Sequence, residues 1–488
     1  MKSLFARSLA AFLVVLLFTQ QNWATCGGGG GGGVGGMGGG GNGMGTSNDQ
    51  TYRVPWKLIK PEDPPVKDGL VVYWFPSSAE EVKKSSLLFS HSLALYAGQC
   101  VTMGVADVRS PIGQKLAPAD KLPVAVLAQP DGTPIGKAEN KDGFLKVDQV
   151  EKLVETEMKK RKESVEQQLK AAKEKSKSGD NQNAIQTYRT VLEQKCLFPD
   201  KAKDAAKELK KLGVTDVAEI PDGPNFDPRV MAQVENFMRK GLKAENDARY
   251  TEAERLYAQA HRLDPADPTP LRYLGEAYRH HTGEWDKARH TFDQILSMSA
   301  DPLSRAVALH GLGKITIHEG DFKKGLALME ESVKAYPIAL AYRNLAVYWN
   351  SEGDMAKADH YTREALALEP TDAFNLIFAA AFMAGNGHGD EALKIAKENE
   401  AMLPASYNLA AIYAQLGQKD KALSLLKRHF FEYERYKAVR AKEMMEARVD
   451  IVFASLRNDS AFMALTNGAD GRLPMPMNQH PANGGGGQ

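Results

Sequence analysis

Between residues 234 and 436 small and apolar residues recur with a period of about 34 residues, and each period holds two helical stretches of alternating apolar and polar faces. One copy carries Phe237, Gly241, Ala244, Ala253, Tyr257, Ala260 and Pro265. The next carries Leu271, Leu274, Gly275, Tyr278, Ala288, Phe292 and Ile295, with one extra residue in the turn 282–286. Leu309, Leu312, Gly313, Gly325 and Pro337 follow, then Tyr342, Leu345, Ala346, Trp349, Ala358, Ala365 and Pro370. Two weaker copies hold Leu376, Ala379, Ala380, Ala392 and Pro404, and Leu409, Ala410, Tyr413, Ala422 and Leu426. Small residues stand where two helices must touch, and aromatics where they interlock. Gly320-Asp321, Gly353-Asp354 and Gly417-Gln418 end the first helix of a pair, and Pro265, Pro337, Pro370 and Pro404 stop the second. One such hairpin cannot bury its own apolar face, so the pattern predicts hairpins stacked side by side around a shared core.

Ahead of residue 159 the period changes. Residues 69–75 form a continuous β-prone apolar run behind Pro61, Pro64 and Pro65, which predicts a buried strand. Ser77 or Ser78 then caps a helix with acids in its first turn, expected to run to about Tyr96. Strands are expected at 100–107, 123–128 and 134–137, the last two joined by the turn Pro130-Asp131-Gly132-Thr133, and a helix at 146–158.

These two patterns resemble known families. The periodic array is similar to the tetratricopeptide repeat. The order of elements in 51–158, with Leu122-Pro123 opening a strand, is similar to the thioredoxin fold. The expected fold class is therefore multidomain: an α/β thioredoxin-like domain followed by an all-α tetratricopeptide-repeat solenoid. The thioredoxin resemblance implies a Cys-x-x-Cys pair at the first helix, but Ser78-Ala79-Glu80-Glu81 stands there. A hydroxyl and a carboxylate cannot exchange disulfides, so Ser78, Glu81 and Pro123 mark a degenerate site. Pro123 matches the family's cis-proline, which implies either polypeptide binding without redox chemistry or a folded spacer.

The remaining segments are read from composition. Residues 159–214 form a charged, repeat-like helical hairpin, 215–228 a Pro- and Gly-rich linker, 229–440 the repeat array and 441–466 capping helices over its last repeat. The tail 467–488 and the Gly-rich tract 25–50 read as disordered, the latter as a tether. Residues 1–24 have the basic start, apolar run (9–18) and polar end of a signal peptide. That run is too short for a transmembrane span, which needs about 20 residues. The protein is therefore expected in the periplasm or secreted. A lipoprotein reading would acylate Cys26, but Trp23 stands where such signals carry Leu, and soluble secretion is preferred.

Charge and chemistry narrow the function. A formal net charge of +1 gives no basic excess for nucleic acid. His280, His281 and His290 lack the companions and spacing of a metal site, so no metal and no cofactor are expected. No phosphate loop or nucleophile with its base can be picked out, and the protein is expected not to be an enzyme. Among its three cysteines, Cys100 and Cys196 are expected as buried free thiols. The repeat resemblance places Arg272, Arg279, His280, His310, Lys314, Arg343 and Asn350 along a basic half of a concave groove. It places Phe374, Ile377 and Tyr407 in an apolar half. The ligand this implies is a protein or peptide segment both acidic and apolar. Two readings follow: a non-catalytic scaffold or adaptor outside the cytoplasm, and a thiol-redox or chaperone accessory acting through the thioredoxin-like domain.

Overall fold

A computed structural model describes residues 51–467 except 61–62, 141, 371, 401–406 and 434–436. The expected signal peptide, the glycine tether with Cys26, and the tail beyond 467 lie outside the described residues.

Five strands form the N-terminal sheet: β1 (Lys57–Leu58), β2 (Leu70–Phe75), β3 (Val101–Val105), β4 (Val124–Ala128) and β5 (Pro134–Glu139), in spatial order β1-β3-β2-β4-β5. β3 runs parallel to β1 and β2, whereas β4 runs antiparallel to β2 and β5. The unbroken apolar run of β2 follows from burial on both faces. Leu70, Val72 and Trp74 enter one core, and Val71, Tyr73 and Phe75 enter another with Leu116. The Leu122-Pro123 peptide is cis at the entrance to β4.

The single helix expected over 77–96 is divided into α1 (Ala79–Lys84), a 3-10 turn (Ser86–Leu88) and α2 (His91–Gly98). Serines cause the division. The hydroxyls of Ser78, Ser85 and Ser90 each accept a backbone N–H bond of the element that follows, which favours a new start over continuation. After α3 (Pro111–Leu116) and the β4–β5 hairpin, α4 (Val147–Lys177) runs unbroken for 31 residues, through the expected boundary at 158. Its buried Val150, Val154, Met158, Val165, Leu169 and Ala172 keep one helical face across that point. α5 (Asn181–Glu193) and α6 (Pro199–Lys211) pack beside it.

Cys100 and Cys196 form a disulfide, with Cα atoms 5.8 Å apart. The expectation of two free thiols is thereby corrected. The partners lie 96 residues apart in sequence, and only the return of α5 to the sheet brings them together.

The array is built from α7 (Pro228–Asn246), α8 (Tyr250–Leu263), α9 (Pro268–Glu276), α10 (Trp285–Ser297), α11 (Pro302–His318), α12 (Phe322–Ala335), α13 (Ala339–Ser351), α14 (Met355–Leu368), α15 (Ala373–Gly385), α16 (Gly389–Asn399), α17 (Tyr407–Gln415) and α18 (Lys419–Arg428). A Cβ on Gly241 would overlap the ring of Tyr257, so here glycine is what lets α7 and α8 meet. Gly353 serves differently: it has φ +82° and nothing near its α-carbon, so it ends α13 by adopting a left-handed conformation. The extra residue of the second repeat is absorbed as a π-turn, Ala277–Thr282, after α9.

Beyond α18 come a π-turn (His429–Tyr433), α19 (Lys437–Val449), a 3-10 turn (Ile451–Leu456) and α20 (Ser460–Leu465). The sheet and the array share one core. Val54, Trp56, Val72 and Trp74 belong to the same buried cluster as Leu303, Val307, Tyr336 and Leu368. The structure is thus mostly a helical repeat solenoid with a small sheet docked on it.

Candidate protein-binding surface

Of the residues expected to line an open groove, Arg279 and His280 lie in the π-turn after α9 and the others on the first helices of their hairpins, and most are covered. Arg272, Arg279, His280, His310, Lys314, Ile377 and Tyr407 are buried, whereas Arg343 and Asn350 are half-buried. The Phe374 side chain lies outside the described residues. Two segments of the chain itself provide the cover.

The first is the stretch 51–56, which leads into the sheet. Arg272 donates to the Thr51 carbonyl at 3.4 Å, the Tyr52 hydroxyl donates to Asp267 at 2.5 Å, and the Tyr336 hydroxyl donates to the Trp56 carbonyl at 3.1 Å. His91 on α2 stacks on Tyr52 with ring centres 3.7 Å apart. It reaches Glu235 at 3.0 Å and Asp267 at 3.5 Å. Burial alone would lower His91, but its hydrogen bonds to Asp267 and Glu235 outweigh that and raise its pKa to about 9. Burial likewise works against the Asp267 carboxylate, yet its bonds with His91 and Tyr52 hold it below the ordinary range. Glu369, near Arg343 and Arg53, is pushed up to about 7 by burial.

In the middle the expected basic residues do gather. Burial first, then the charges of Arg279, Lys314 and Arg343, hold His310 well below its ordinary pKa. Its Nε2 lies 2.7 Å from Asn344, consistent with a neutral ring accepting an amide proton. Arg279 pairs with Glu276 at 2.7 Å, Lys314 donates to the Tyr348 hydroxyl at 2.8 Å, and Arg343 is bonded to Asn375. His280 meets the neighbouring His281 ring edge-on, and His281 pairs with Glu245 at 3.1 Å. Among the described residues, no group of three or more His, Cys, Asp or Glu could hold a metal ion.

The second cover is α19. Glu446 reaches His318 at 2.8 Å, Glu443 reaches the buried His429 at 3.2 Å, and Asp450 accepts from Tyr407 at 3.2 Å. Met444 and Ala447 are buried between these acids.

The sheet carries the third set of candidates. The Ser78 hydroxyl is exposed and accepts the Glu81 N–H at 3.1 Å, capping α1. Burial raises the Glu81 carboxyl to about 7, against a hydrogen bond from the Ser77 backbone. Phe75 pairs with Val124, so Ser78 and the buried Pro123 stand at the same end of the sheet. Cys100, at the start of β3, has its sulfur bonded to Cys196.

Sequence reasoning missed His91, Asp267, Tyr52, Glu443 and Glu446. Asp267 precedes Pro268 and caps α9 by accepting from Thr269 at 2.8 Å, so its local pattern reads as a cap and hides its second task.

Comparison with known proteins agrees on the array. Residues 238–304 and 403–428 match two models of the tetratricopeptide repeat. The chain contains tetratricopeptide repeats, a class of module that binds proteins and peptides. Over 235 residues it is 25% identical to the Protein CTR9 homolog of Arabidopsis thaliana, covering 38% of this chain and 21% of that protein. Over 87 residues it is 31% identical to the Photosystem I assembly protein Ycf3 of Rippkaea orientalis (strain PCC 8801 / RF-1), covering 18% of this chain and 50% of that protein. The chain thus spans half or less of the length of these curated relatives. Among solved structures it is similar to the APC/C hetero-tetramer Cut9-Hcn1, at 13% identity and TM-score 0.34, covering 58% of this chain and 52% of that one. A second is the P58(IPK) TPR domain, at 13% identity and TM-score 0.22, covering 62% and 96%. None of these descriptions names a catalytic activity. Among the described residues no helix is long and apolar enough to cross a membrane.

Proposed function

We propose that this protein is a non-catalytic scaffold outside the cytoplasm, whose repeat array docks a protein segment along its inner surface. The observation that carries the reading is that this surface already holds two peptide-like segments, 51–56 in extended form and α19 as a helix, through side chains of the repeats' first helices. The extracytoplasmic location is supported by the basic start and apolar run of residues 1–18, and by the Cys100–Cys196 bond, a linkage that persists in oxidising compartments. In this reading residues 51–158 are a thioredoxin-like unit without its thiol pair. The strand order, the cis Leu122-Pro123 peptide and Ser78 at the helix start support it. The unit acts as a dock for the array rather than a redox centre, since Cys100 is already bonded.

Site-specific photocrosslinking tests the reading. A photoreactive residue replacing the half-buried Asn350 should capture a discrete partner in cells, while one replacing Arg363, exposed on the second helix of the same repeat, should not. The same products from both positions would remove the inner surface as the docking site.

A further inference from the structure

We propose that α19 is an internal ligand of the array, and that the external partner is an acidic, amphipathic helix that competes for its place. The inference rests on the scaffold reading above. Three observations carry it.

The first is position. Phe453 and Phe462, beyond α19, are buried in the core formed by α17 and α18, and Met444 and Ala447 of α19 join that core. α19 also extends along the repeats. It packs near the π-turn Ala277–Thr282 of the second repeat, touches His318 of the third, and ends beside Tyr407 of the last. A terminal cap would contact only its neighbour.

The second is chemistry. Glu443 and Glu446 stand one turn apart on α19 with Met444 and Ala447 buried beside them; Glu443 meets His429 of the preceding π-turn, Glu446 meets His318 of the array, and Asp450, just past the helix end, meets Tyr407. Two of its arginines turn to other partners: Arg448 donates to Thr466 and to the Met463 carbonyl, and Arg440 lies over the Phe431 ring. Glu446 also interacts electrostatically with Lys314 and Tyr348, so α19 reaches the basic cluster at Lys314. Acidic and apolar groups on one helix face are what this surface selects.

The third is exchangeability. The His318–Glu446 pair keeps 19% and 27% of its side-chain surface in water, so exchange can begin there before the dry Glu443–His429 contact is stripped. Phe431, in the π-turn leading to α19, is 51% exposed.

The test uses the full chain and a fluorescein-labelled synthetic peptide of residues 437–450. Binding is read by anisotropy, and opening of α19 by hydrogen exchange. The wild type should bind the peptide weakly. The Glu443→Lys/Glu446→Lys variant should lose exchange protection in α19 alone and bind at least about tenfold more tightly, because the competitor no longer occupies the site. The milder Glu443→Gln/Glu446→Gln variant should fall between. If α19 opens and affinity does not rise, or a scrambled peptide binds equally, the array is not the docking surface and the scaffold reading falls too. If α19 stays protected in both variants, or its release also unprotects the repeats, it is a structural strut. The internal-ligand proposal is then overturned while the scaffold reading stands.

Discussion

At the front of the array the cover 51–56 is held by polar groups with almost no access to water: Asp267 is fully buried, Arg272 2% exposed and the His91 side chain 4% exposed. At the rear α19 is held by carboxylate–histidine pairs of unequal burial. Glu443 and His429 are dry, whereas Glu446 and His318 are wet. Taking charges out of water costs several kcal/mol per ion, so a dry network is tolerable only when every member is matched, and losing one member strands the others. A wet pair exchanges its partner for water at little cost. The same repeat scaffold therefore carries one contact that is part of the fold and another that can be traded.

The sharpest way to break this comparison is Asp267→Ala. The change removes the carboxylate shared by His91, the Tyr52 hydroxyl and the first turn of α9, leaving the His91 cation with Glu235 alone among its carboxylate partners. Unfolding free energy should fall by about 3–5 kcal/mol, read from urea denaturation. A loss below about 1 kcal/mol would put front and rear on the same footing.

Titration gives a middle-sized effect. The pKa of His91 is raised from 6.5 to about 9 in the folded chain, so the folded state binds its proton more tightly. Its contribution is complete below pH 6.5 and fades as pH rises through about 9, a loss of about 3 kcal/mol across that window. Urea midpoints from pH 6 to 10 should slope downward in the wild type and less so in His91→Gln. Equal slopes would remove His91 as the titrating group.

The smallest effect belongs to the rear. Glu446→Ala should cost less than about 1 kcal/mol in global stability because its pair is part-exposed. It should nevertheless speed amide exchange in α19 selectively. A global loss as large as that of Asp267→Ala would erase the distinction drawn here.

The repeats were legible because their signals are local. Gly241 and Tyr257 lie on the two adjacent helices of one repeat, and Gly353 sits at the helix end it forms. The continuity of α4 was legible too, since Val150, Val154 and Met158 keep the same face as Val165 and Leu169. The charged composition beyond 158 drew attention away from that face. The covering of the inner surface left no local trace. Tyr52 meets Asp267 across 215 residues and Trp56 meets Tyr336 across 280, so side chains expected to be open are covered by segments distant in sequence. The cysteine pair was hidden in the same way. Each half-buried sulfur has an ordinary neighbourhood in sequence, and only tertiary structure joins them.

That bond also changes how the molecule would bear tension. The chain from Cys100 to Cys196, a separation of 96 residues, forms a covalent ring that holds β3, α3, the β4–β5 hairpin, α4 and α5. At about 3.4 Å per extended residue, roughly 330 Å of contour length is withheld from a chain pulled by its ends. The lysine-rich part of α4 lies inside this ring. A protease that cuts there leaves two pieces still joined, and only a reductant lets them part.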